Sequence, residues 1–373
     1  MSAAAPICII LGTRPEAIKL APVIEQFCQH SAFHTQVILT GQHREMVDQV
    51  MRLFQLQADH DLDIMQPKQS LTDITCRTLQ GLGQLFEQLQ PKMVIVQGDT
   101  TTAFTAALAG FYRQIPIGHV EAGLRTDHLY DPYPEEANRR LISQIAQLHF
   151  APTPLAVQNL QQSQVTGQIF QTGNTVIDAL LRVAATKPDC DVPGLDWLQT
   201  KVILATVHRR ENWGKPLESI LTAFEQILTA FPDRALLLPM HRNPTVRDPI
   251  KAHLGNHPRV FLTEPLNYSQ LVGAIQRCEL LLTDSGGLQE EAPSLGKPVL
   301  VLRETTERPE AVEAGTAQLV GTDTENVVWA TAKLLEDPVA YQAMANAVNP
   351  FGDGQASARI ADAVETYLAS SGS

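Results

Sequence analysis

The chain has 373 residues, 44% of them hydrophobic, and a formal net charge of −12 at pH 7. This length is too great for one ordinary hydrophobic core and predicts two domains. Nucleic-acid and membrane-surface binders usually carry basic faces, so the acidic balance argues against both classes of function. Any anionic ligand must then be held by local positive groups.

The N-terminal sequence MSAAAPICIILG lacks a charged segment before its apolar run, which is too short for a signal peptide or a membrane span. No other apolar stretch approaches the roughly 20 residues that a spanning helix needs. The five cysteines are scattered and form no CxxC pair (Cys8, Cys28, Cys76, Cys190 and Cys278). We therefore predict a cytoplasmic protein with buried thiols, no disulfides and no metal site.

Apolar runs alternate with helix-like segments through the first half of the chain. The patterns predict strands at 7–11, 36–39, 93–96 and 115–120, and helices at 15–29, 42–54, 73–89, 103–112 and 134–148. This alternation is typical of an α/β domain with a parallel, doubly wound sheet.

The second half repeats the alternation and closes with three helices. Strands are predicted at 202–206, 235–238, 260–263, 280–283, 299–302 and 318–320, and the final helices near 324–336, 338–347 and 356–368. Between the halves, segment 187–200 is rich in Pro and Asp and predicts a linker. The predicted fold is two Rossmann-like domains that face a central cleft.

Ligands of open parallel sheets bind beyond the carboxyl ends of the strands. There the first half offers Arg14, Lys19, Asp99, Glu121 and, at a helix start, Glu135. The second half offers residues 208–211 (HRRE), His241, residues 285–287 and Arg308. A cleft between two such domains suits a nucleotide-sugar, with the diphosphate in the second domain and the sugar before the acids of the first.

The loop Ser285-Gly286-Gly287 lies between a predicted strand and a helix start. Unpaired backbone N–H groups at a helix start attract anions, and two glycines let a phosphate approach closely. Arg308, beyond the next strand, is a planar cation suited to phosphate. The alternative is an ordinary strand–helix turn with a serine N-cap.

Other candidates also have structural alternatives. Asp99 could cap the helix that follows it, and Glu135 is favoured at a helix start by the helix dipole. His208 with its arginines could be a solvated basic turn, and Arg14 could pair structurally. No HxH, HExxH or clustered Cys/His pattern that would bind a metal occurs.

Seven segments occur together in one known family of enzymes. They are GTRPEAIKLAP (12–22), GDTTT (98–102), HVEAGLRT (119–126), PEEANRRL (134–141), HRREN (208–212), TDSGGLQEEAPSLGKPVLVLR (283–303) and TTERPEAVEAGT (305–316). In order and spacing they resemble the non-hydrolysing UDP-N-acetylglucosamine 2-epimerases. The resemblance implies a glycosyltransferase-B type fold with domains at 1–178 and 179–355, and a C-terminal helix and tail at 356–373 that cross back to the first domain.

The resemblance implies that UDP-GlcNAc and UDP-ManNAc interconvert through loss of UDP and of the C2 proton, a 2-acetamidoglucal intermediate and re-addition of UDP, feeding cell-surface polysaccharide synthesis. No cofactor and a homodimer are implied. The implied catalytic residues are Asp99, Glu121, Glu135 and His208. The implied substrate contacts are Arg14, Lys19, Leu266, Leu271, Ser285, Gly286, Gly287, Glu291 and Arg308.

Some members of this family bind a second UDP-GlcNAc as an activator. Residues matching that pocket are Gln42, His43, Arg209 and His241. Glu45 and Lys68 stand where Gln and Arg are common, and a carboxylate at position 45 would weaken a bound diphosphate. Gln97 replaces a frequent His, and Leu266 and Leu271 replace Gln and Phe on the uracil side.

Four alternatives remain: a C2 epimerase of a related UDP-sugar, a hydrolysing relative, a glycosyltransferase of the same fold, and a non-catalytic nucleotide-sugar sensor. A uronate substrate calls for an additional cation near the sugar, and the first domain offers only Arg14, Lys19 and Arg125. Hydrolysis would release free sugar. A sensor should have lost acids, but Asp99, Glu121 and Glu135 are all present.

Overall fold

The structure of the protein is a computed structural model that describes residues 4–41, 44–66 and 69–371. The chain divides into two units. Unit 1 holds the chain up to Ala179 and again from Phe351 onward, and unit 2 holds Leu180–Pro350. None of the helices in the described ranges combines the length and the apolar character that a membrane crossing requires.

Unit 1 is built on a parallel sheet whose described strands are β1 (Ala5–Leu11), β2 (Phe33–Leu39), β3 (His60–Asp61), β4 (Met93–Gln97), β5 (Ile117–Val120), β6 (Leu148–Ala151) and β7 (Gln168–Gln171). Its helices are α1 (Arg14–Gln29), α2 (Arg44–Leu53), α3 (Leu71–Leu89), α4 (Thr101–Tyr112), α5 (Glu135–Ile145), α6 (Pro154–Gln162) and α7 (Thr175–Ala185), which continues into unit 2. The strand order β3-β2-β1-β4-β5-β6-β7 makes the sheet doubly wound, as predicted.

Unit 2 repeats this plan. Its described strands are β8 (Lys201–Thr206), β9 (Arg234–Pro239), β10 (Val260–Thr263), β11 (Leu280–Thr283), β12 (Val299–Val301) and β13 (Ala317–Leu319), in the order β10-β9-β8-β11-β12-β13. Its helices are α8 (Lys215–Ala230), α9 (Pro244–Leu254), α10 (Tyr268–Arg277), α11 (Gly286–Glu291), α12 (Pro309–Glu313), α13 (Thr324–Glu336) and α14 (Pro338–Ala345). Short 3₁₀ turns cover Arg210–Asn212 and Ala292–Leu295.

The central strands are continuous apolar runs because helices cover both faces of a parallel sheet. Ile9 in β1 and Leu281 in β11 are fully buried. Helix starts follow their sequence signals: Thr13 and Glu16 form a capping box at α1, and Asn267 with Gln270 forms one at α10.

The chain ends in helix α15 (Ala356–Ser371), which packs against α1. Ile360 and Val364 of α15 are fully buried. The buried carboxylate of Asp178 in α7 accepts the backbone N–H of Ser357 at 2.8 Å and so holds the first turn of α15. The last segment therefore belongs to unit 1.

Three of the sequence-based structural predictions were wrong, and the strands β3, β6 and β7 and the helices α6 and α7 were not predicted. The helix expected to reach residue 148 ends at Ile145, and Leu148 begins β6. Because Ile142, Ile145 and Leu148 recur every third residue, the helical period continues into the strand. Segment 187–200 is not a free linker but part of unit 2, with Cys190 and Val192 buried.

The third correction concerns the thiols. Cys8, Cys190 and Cys278 are buried as expected, but Cys28 and Cys76 are exposed. Cys28 lies in the last turn of α1 and Cys76 in α3, on faces that the sheet does not cover.

Candidate active site

The strand order reverses between β1 and β4 in unit 1 and between β8 and β11 in unit 2. Ligand sites of doubly wound sheets lie beyond the carboxyl ends of the strands at such a point. β1 leads to Arg14 and β4 to Asp99, while β8 leads to His208 and β11 to Ser285. The predicted site residues therefore flank the switch point of each unit.

Asp99 follows β4 after Gly98, whose φ of 71° is the left-handed conformation that glycine adopts without strain. The guanidinium of Arg139 in α5 donates from Nε (3.0 Å) and from Nη2 to one carboxylate oxygen, Oδ2. Burial raises the pKa of Asp99 above its ordinary value, Arg139 opposes that rise, and nearby Glu121 adds to it. A carboxyl group that holds its proton more tightly than usual suits proton transfer near neutral pH.

Asp99 is not the cap of the following helix. Thr100 is the N-cap residue of α4, and its hydroxyl accepts the backbone N–H of Ala103 at 3.0 Å. The capping alternative for Asp99 therefore fails, and its side chain is bound by Arg139 instead.

Glu121 follows β5 with a φ of 63°, a conformation that residues with a side chain rarely adopt. The ammonium of Lys19 lies 2.5 and 2.7 Å from its two carboxylate oxygens. Gln97 donates its amide N–H to Oε2, and the amide of Asn174 lies 3.4 Å from Oε1. These contacts hold a strained backbone and a buried carboxylate in one orientation, as is common at functional sites.

Glu135 and Arg14 are both half-buried, in the first turns of α5 and α1. Within the described residues, neither side chain has a hydrogen-bond or ion-pair partner. The structure thus brings Lys19, Asp99 and Glu121 into one group, the unit 1 cluster. It leaves Glu135 and Arg14 without a contact to that group.

Glu16, which the sequence analysis did not single out, ties the two loops of the unit 1 switch point together. Its buried carboxylate accepts the backbone N–H groups of Gly12 (2.9 Å) and Thr13 (2.6 Å) and the hydroxyl of Thr100 (2.5 Å). Burial raises its pKa, although these hydrogen bonds act in the opposite direction. The capping-box spacing of Thr13 and Glu16 was the available signal.

Unit 2 contains an open pocket of about 240 Å³ beyond its strand ends. Its lining includes six of the predicted residues: His208, His241, Leu266, Leu271, Ser285 and Glu291. Met240 adds a further apolar wall that the sequence analysis missed. An apolar recess with a few polar groups at its mouth is the usual form of a small-molecule site.

His208 is held by Asp284, the residue before the glycine loop. Its Nδ1 lies 2.8 Å from Oδ1 of Asp284, and the other oxygen accepts the backbone N–H groups of His208 and Arg209, each at 2.8 Å. Burial alone would raise the pKa of Asp284, but the His208 side chain and the backbone N–H groups hold it below its usual value. The segment after β8 is therefore anchored and is not a solvated basic turn.

The glycine loop is not an ordinary serine-capped turn either. Ser285 occupies the N-cap position of α11, but its side chain makes no capping hydrogen bond. Its backbone N–H instead donates to the hydroxyl of Thr283 at 3.0 Å. A Cβ at Gly286 would lie 3.5 Å from a guanidinium nitrogen of Arg209, an ordinary van der Waals distance, so the loop lies close to a cation.

Both arginines near this loop are held by glutamates. The guanidinium of Arg308 pairs with Glu290, and that of Arg209 lies 3.2 Å from Glu307. Although burial acts in the other direction, Arg209 and the neighbouring arginines hold the pKa of Glu307 below its ordinary value. An incoming diphosphate would therefore compete with carboxylates for these cations.

Tyr268 is a further residue that the sequence analysis missed. Its buried hydroxyl donates to Oε1 of Glu291 at 3.1 Å. Glu291 thereby has a fixed orientation at the pocket wall. An isolated tyrosine 23 positions earlier in the sequence carried no signal of this contact.

Part of the predicted second ligand site, Gln42 and His43, lies outside the described residues, as does Lys68. Arg209 and His241 both belong to unit 2, and Glu45 is exposed in the first turn of α2. In the described part of the chain, no three His, Cys, Asp or Glu side chains are grouped as metal ligands.

A family model described as UDP-N-acetylglucosamine 2-epimerase matches residues 25–365 of this chain. The chain belongs to the UDP-N-acetylglucosamine 2-epimerase family. The resemblance predicted from the seven segments is confirmed, and with it the prediction that the chain is an enzyme.

Relatives of this family match almost the whole chain. A UDP-N-acetylglucosamine 2-epimerase of Escherichia coli (strain K12) is 50% identical over 366 residues, which are 95% of this chain and 97% of the relative. The crystal structure of UDP-GlcNAc 2-epimerase from Neisseria meningitidis bound to UDP-GlcNAc is 47% identical, with a TM-score of 0.84, and the match covers 97% of this chain and 99% of that one.

The fold of this epimerase-family chain also occurs in an enzyme of low sequence identity. A sucrose-phosphate synthase from Thermosynechococcus elongatus is only 14% identical but has a TM-score of 0.64 over 98% of this chain and all of the other. This likeness concerns the fold alone. It agrees with two Rossmann-like sheets of the glycosyltransferase-B type, the predicted fold class.

Proposed function

We propose that this chain interconverts UDP-GlcNAc and UDP-ManNAc by elimination and re-addition of UDP, and that the unit 1 cluster and the unit 2 pocket serve one substrate. Membership of the epimerase family across nearly the full chain supports the reaction type. The observation that carries the assignment of residues is the unit 1 cluster. There two carboxylates, one held by Arg139 and one by Lys19, lie at neighbouring strand ends.

The enzyme must promote the breaking of two bonds of the sugar, C1–O and C2–H. The C2 proton of the sugar is not acidic, so the C1–O bond must break with, or ahead of, loss of that proton. UDP then leaves with the bonding electron pair, a carboxylate takes the C2 proton, and 2-acetamidoglucal remains. In the reverse addition, UDP returns to C1 and a proton reaches C2 on the opposite face. Groups for both faces are therefore required.

In this proposal the acids of unit 1 move the protons. Asp99, Glu121 and Glu135 are the acid/base groups, and Lys19 contacts the substrate and orients Glu121. The raised pKa of Asp99, which burial causes, supports a group that alternates between acid and base as the reaction runs in its two directions.

The nucleotide is proposed to bind in unit 2. The apolar wall formed by Met240, Leu266 and Leu271 suits the uracil ring, and Glu291, oriented by Tyr268, suits the ribose hydroxyls. His208, anchored by Asp284, then stands at the sugar–phosphate junction.

The departing diphosphate needs electrostatic stabilisation. The uncapped hydroxyl of Ser285 and the backbone of Gly286 and Gly287 support this role, together with Arg308. Arg14, which has no side-chain partner within the described residues, is proposed as the cation that unit 1 contributes. Members of the family solved with UDP-GlcNAc make the same class of ligand the expectation here.

Incubation with UDP-GlcNAc in D₂O tests the reaction. UDP-ManNAc with deuterium at C2 is expected, and recovered UDP-GlcNAc should also gain deuterium because the reaction is reversible. An Asp99→Asn variant, assayed in parallel, controls for non-enzymatic exchange. Product without deuterium would exclude proton exchange at C2, and accumulation of free ManNAc would indicate a hydrolysing enzyme.

A further inference from the structure

Arg139 contacts only one of the two oxygens of Asp99. It lies in the second turn of α5, and its side chain is 11% exposed. Both Nε, at 3.0 Å, and Nη2 donate to Oδ2. Within the described residues, Oδ1 of Asp99 accepts no hydrogen bond. The two oxygens of this carboxylate are therefore not equivalent.

The far side of the same guanidinium is anchored. Its Nη1 donates to Oε2 of Glu136 at 3.0 Å. The side chain of Glu136 has no exposed surface, and the same oxygen accepts the backbone N–H of Thr126 at 3.0 Å. Because the buried Glu136 holds the opposite edge of the Arg139 guanidinium, Arg139 cannot shift with Asp99 without breaking the Arg139–Glu136 ion pair.

Helix α5 also holds the backbone of Asp99. The side-chain amide of Asn138 donates to the Asp99 carbonyl at 2.9 Å. The same helix begins with Glu135, another of the proposed acid/base residues. One helix thus carries one proposed proton-transfer group and positions a second.

Three charged side chains face Asp99 from three elements: Arg139 from α5, Glu121 from the end of β5 and Lys19 from α1. Burial and Glu121 disfavour the ionised carboxylate, while Arg139 and Lys19 favour it. Of the two cations, Arg139 is the one that bonds Asp99 directly, since Lys19 is engaged by Glu121. Arg139 is therefore the main opposing charge.

We propose that Arg139, backed by Glu136, is a positioning residue that fixes Oδ2 of Asp99 and leaves Oδ1 to exchange the proton with the sugar. This inference rests on the proposed function, in which Asp99 transfers a proton. Arg139 itself need not touch the substrate.

The test compares Arg139→Gln with Arg140→Gln in the full-length protein. Arg140 is a matched control because it also pairs with Glu136 (2.6 Å) and donates to the Thr126 carbonyl (2.9 Å), but it makes no contact with Asp99. Turnover and KM are measured against pH in both reaction directions. We expect Arg139→Gln to lower kcat on the order of 100-fold with a smaller change in KM, because a misplaced reacting group costs about that much.

The pH profile distinguishes positioning from a merely structural role. Loss of the guanidinium removes a charge that favours ionised Asp99, so its pKa should rise. In the direction that needs ionised Asp99, the acidic limb should move to higher pH. In the direction that needs protonated Asp99, the alkaline limb of the pH profile should also move to higher pH. Arg140→Gln should leave both limbs at their wild-type positions.

An Arg139→Lys variant covers the case in which Arg139→Gln does not fold. Lysine keeps the charge but cannot donate two hydrogen bonds to Oδ2 of Asp99 as arginine does. The limbs of the pH profile should therefore stay near their wild-type positions while kcat falls. Unchanged limbs in Arg139→Gln, with a thermal stability loss equal to that of Arg140→Gln, would overturn the inference, as would full kcat in Arg139→Lys. If the wild-type protein itself incorporates no deuterium, the proposed function fails independently.

Discussion

Nδ1 of His208 lies 2.8 Å from Oδ1 of Asp284, a side chain with no exposed surface. The second oxygen of Asp284 accepts two backbone N–H groups and, at 3.0 Å, the side-chain amide of Asn212. Asn212 in turn donates to the Leu302 carbonyl at 3.1 Å. One buried carboxylate therefore connects the histidine after β8 to the segment after β12.

Replacing this carboxylate should affect both activity and stability. Asp284→Asn places an amide N–H₂ among N–H donors, and an unsatisfied buried polar group costs about 1–3 kcal/mol in the free energy of unfolding. Turnover should fall because the His208 ring loses its fixed partner. Urea denaturation and steady-state kinetics measure the two effects. Asp189→Asn is the control, since the Asp189 side chain is 86% exposed, and it should change stability by less than about 0.5 kcal/mol.

The contribution of Asp284 should also depend on pH. Its pKa is below the ordinary value in the folded state, because the His208 side chain and backbone N–H groups outweigh burial. Its stabilisation is then complete above the unfolded pKa of about 3.9 and disappears as pH falls through the folded value. The stability difference between wild type and Asp284→Asn should shrink over that acidic range. A constant difference would contradict the pKa assignment.

Two buried histidines should make the free energy of unfolding fall steeply as the pH becomes acidic. His119 in β5 and His149 in β6 are register partners with no exposed surface, and burial lowers their pKa values to about 3 and about 4. The unfolded chain binds these protons near pH 6.5, so stability falls as pH drops below that value, by about 1.4 kcal/mol per pH unit for each histidine. His149→Gln should reduce the slope of unfolding free energy between pH 6 and about 4. His34→Gln, at an exposed position, should not.

The proton-transfer roles proposed for Asp99 and Glu135 can be distinguished experimentally from a role in binding UDP. Asp99→Asn and Glu135→Gln should each lower kcat by about 10²–10⁴-fold, the usual contribution of general acid–base catalysis. The Kd of UDP, measured by calorimetry, should stay nearly constant because neither residue is proposed to contact the nucleotide. A parallel loss of UDP affinity would instead assign these acids to binding.

Arg308→Ala should have the opposite profile. A hydrogen bond to a charged group contributes about 1.5–3 kcal/mol, so the Kd of UDP should rise about 10- to 150-fold. Arg247→Ala removes an arginine of the same unit that pairs with Glu264 at the surface and serves as the control. Unchanged UDP affinity in Arg308→Ala would remove Arg308 from the diphosphate site.

Tyr268→Phe tests the proposed ribose contact. Loss of one hydroxyl that orients Glu291 should weaken UDP binding by about tenfold at most. The loss of affinity caused by Tyr268→Phe is also measured with 2′-deoxy-UDP and 3′-deoxy-UDP. It should be smaller for the ligand that lacks the hydroxyl bound by Glu291. An equal effect on UDP and both deoxy ligands would contradict a ribose role for Glu291.

Much of the architecture and of the site follows from local sequence patterns. Alternating strands and helices predict parallel, doubly wound sheets, and the predicted strand ends place Asp99 and Ser285 at the ligand-binding edge before any contact is known. The edge strand β7 was missed because Gln168–Gln171 is short and only partly buried, so it lacks the continuous apolar run of a central strand.

The contacts that set the chemistry could not be predicted in the same way. Lys19 and Glu121 are 102 residues apart, and Arg139 reaches Asp99 across 40 residues. Nothing in the local spacing of a lysine or arginine says which carboxylate it will meet. The pairing depends on how α1 and α5 pack at the strand ends, which tertiary structure alone determines.

The return of the chain to unit 1 has a practical consequence for dissecting the protein. A fragment ending at residue 179 would lack α15 and expose the apolar face that Ile360 and Val364 cover. It would also leave Asp178 without the helix start that it binds. A fragment that represents unit 1 must therefore keep the segment from Phe351 onward, and Leu180–Pro350 is the fragment in which the proposed nucleotide binding can be tested separately.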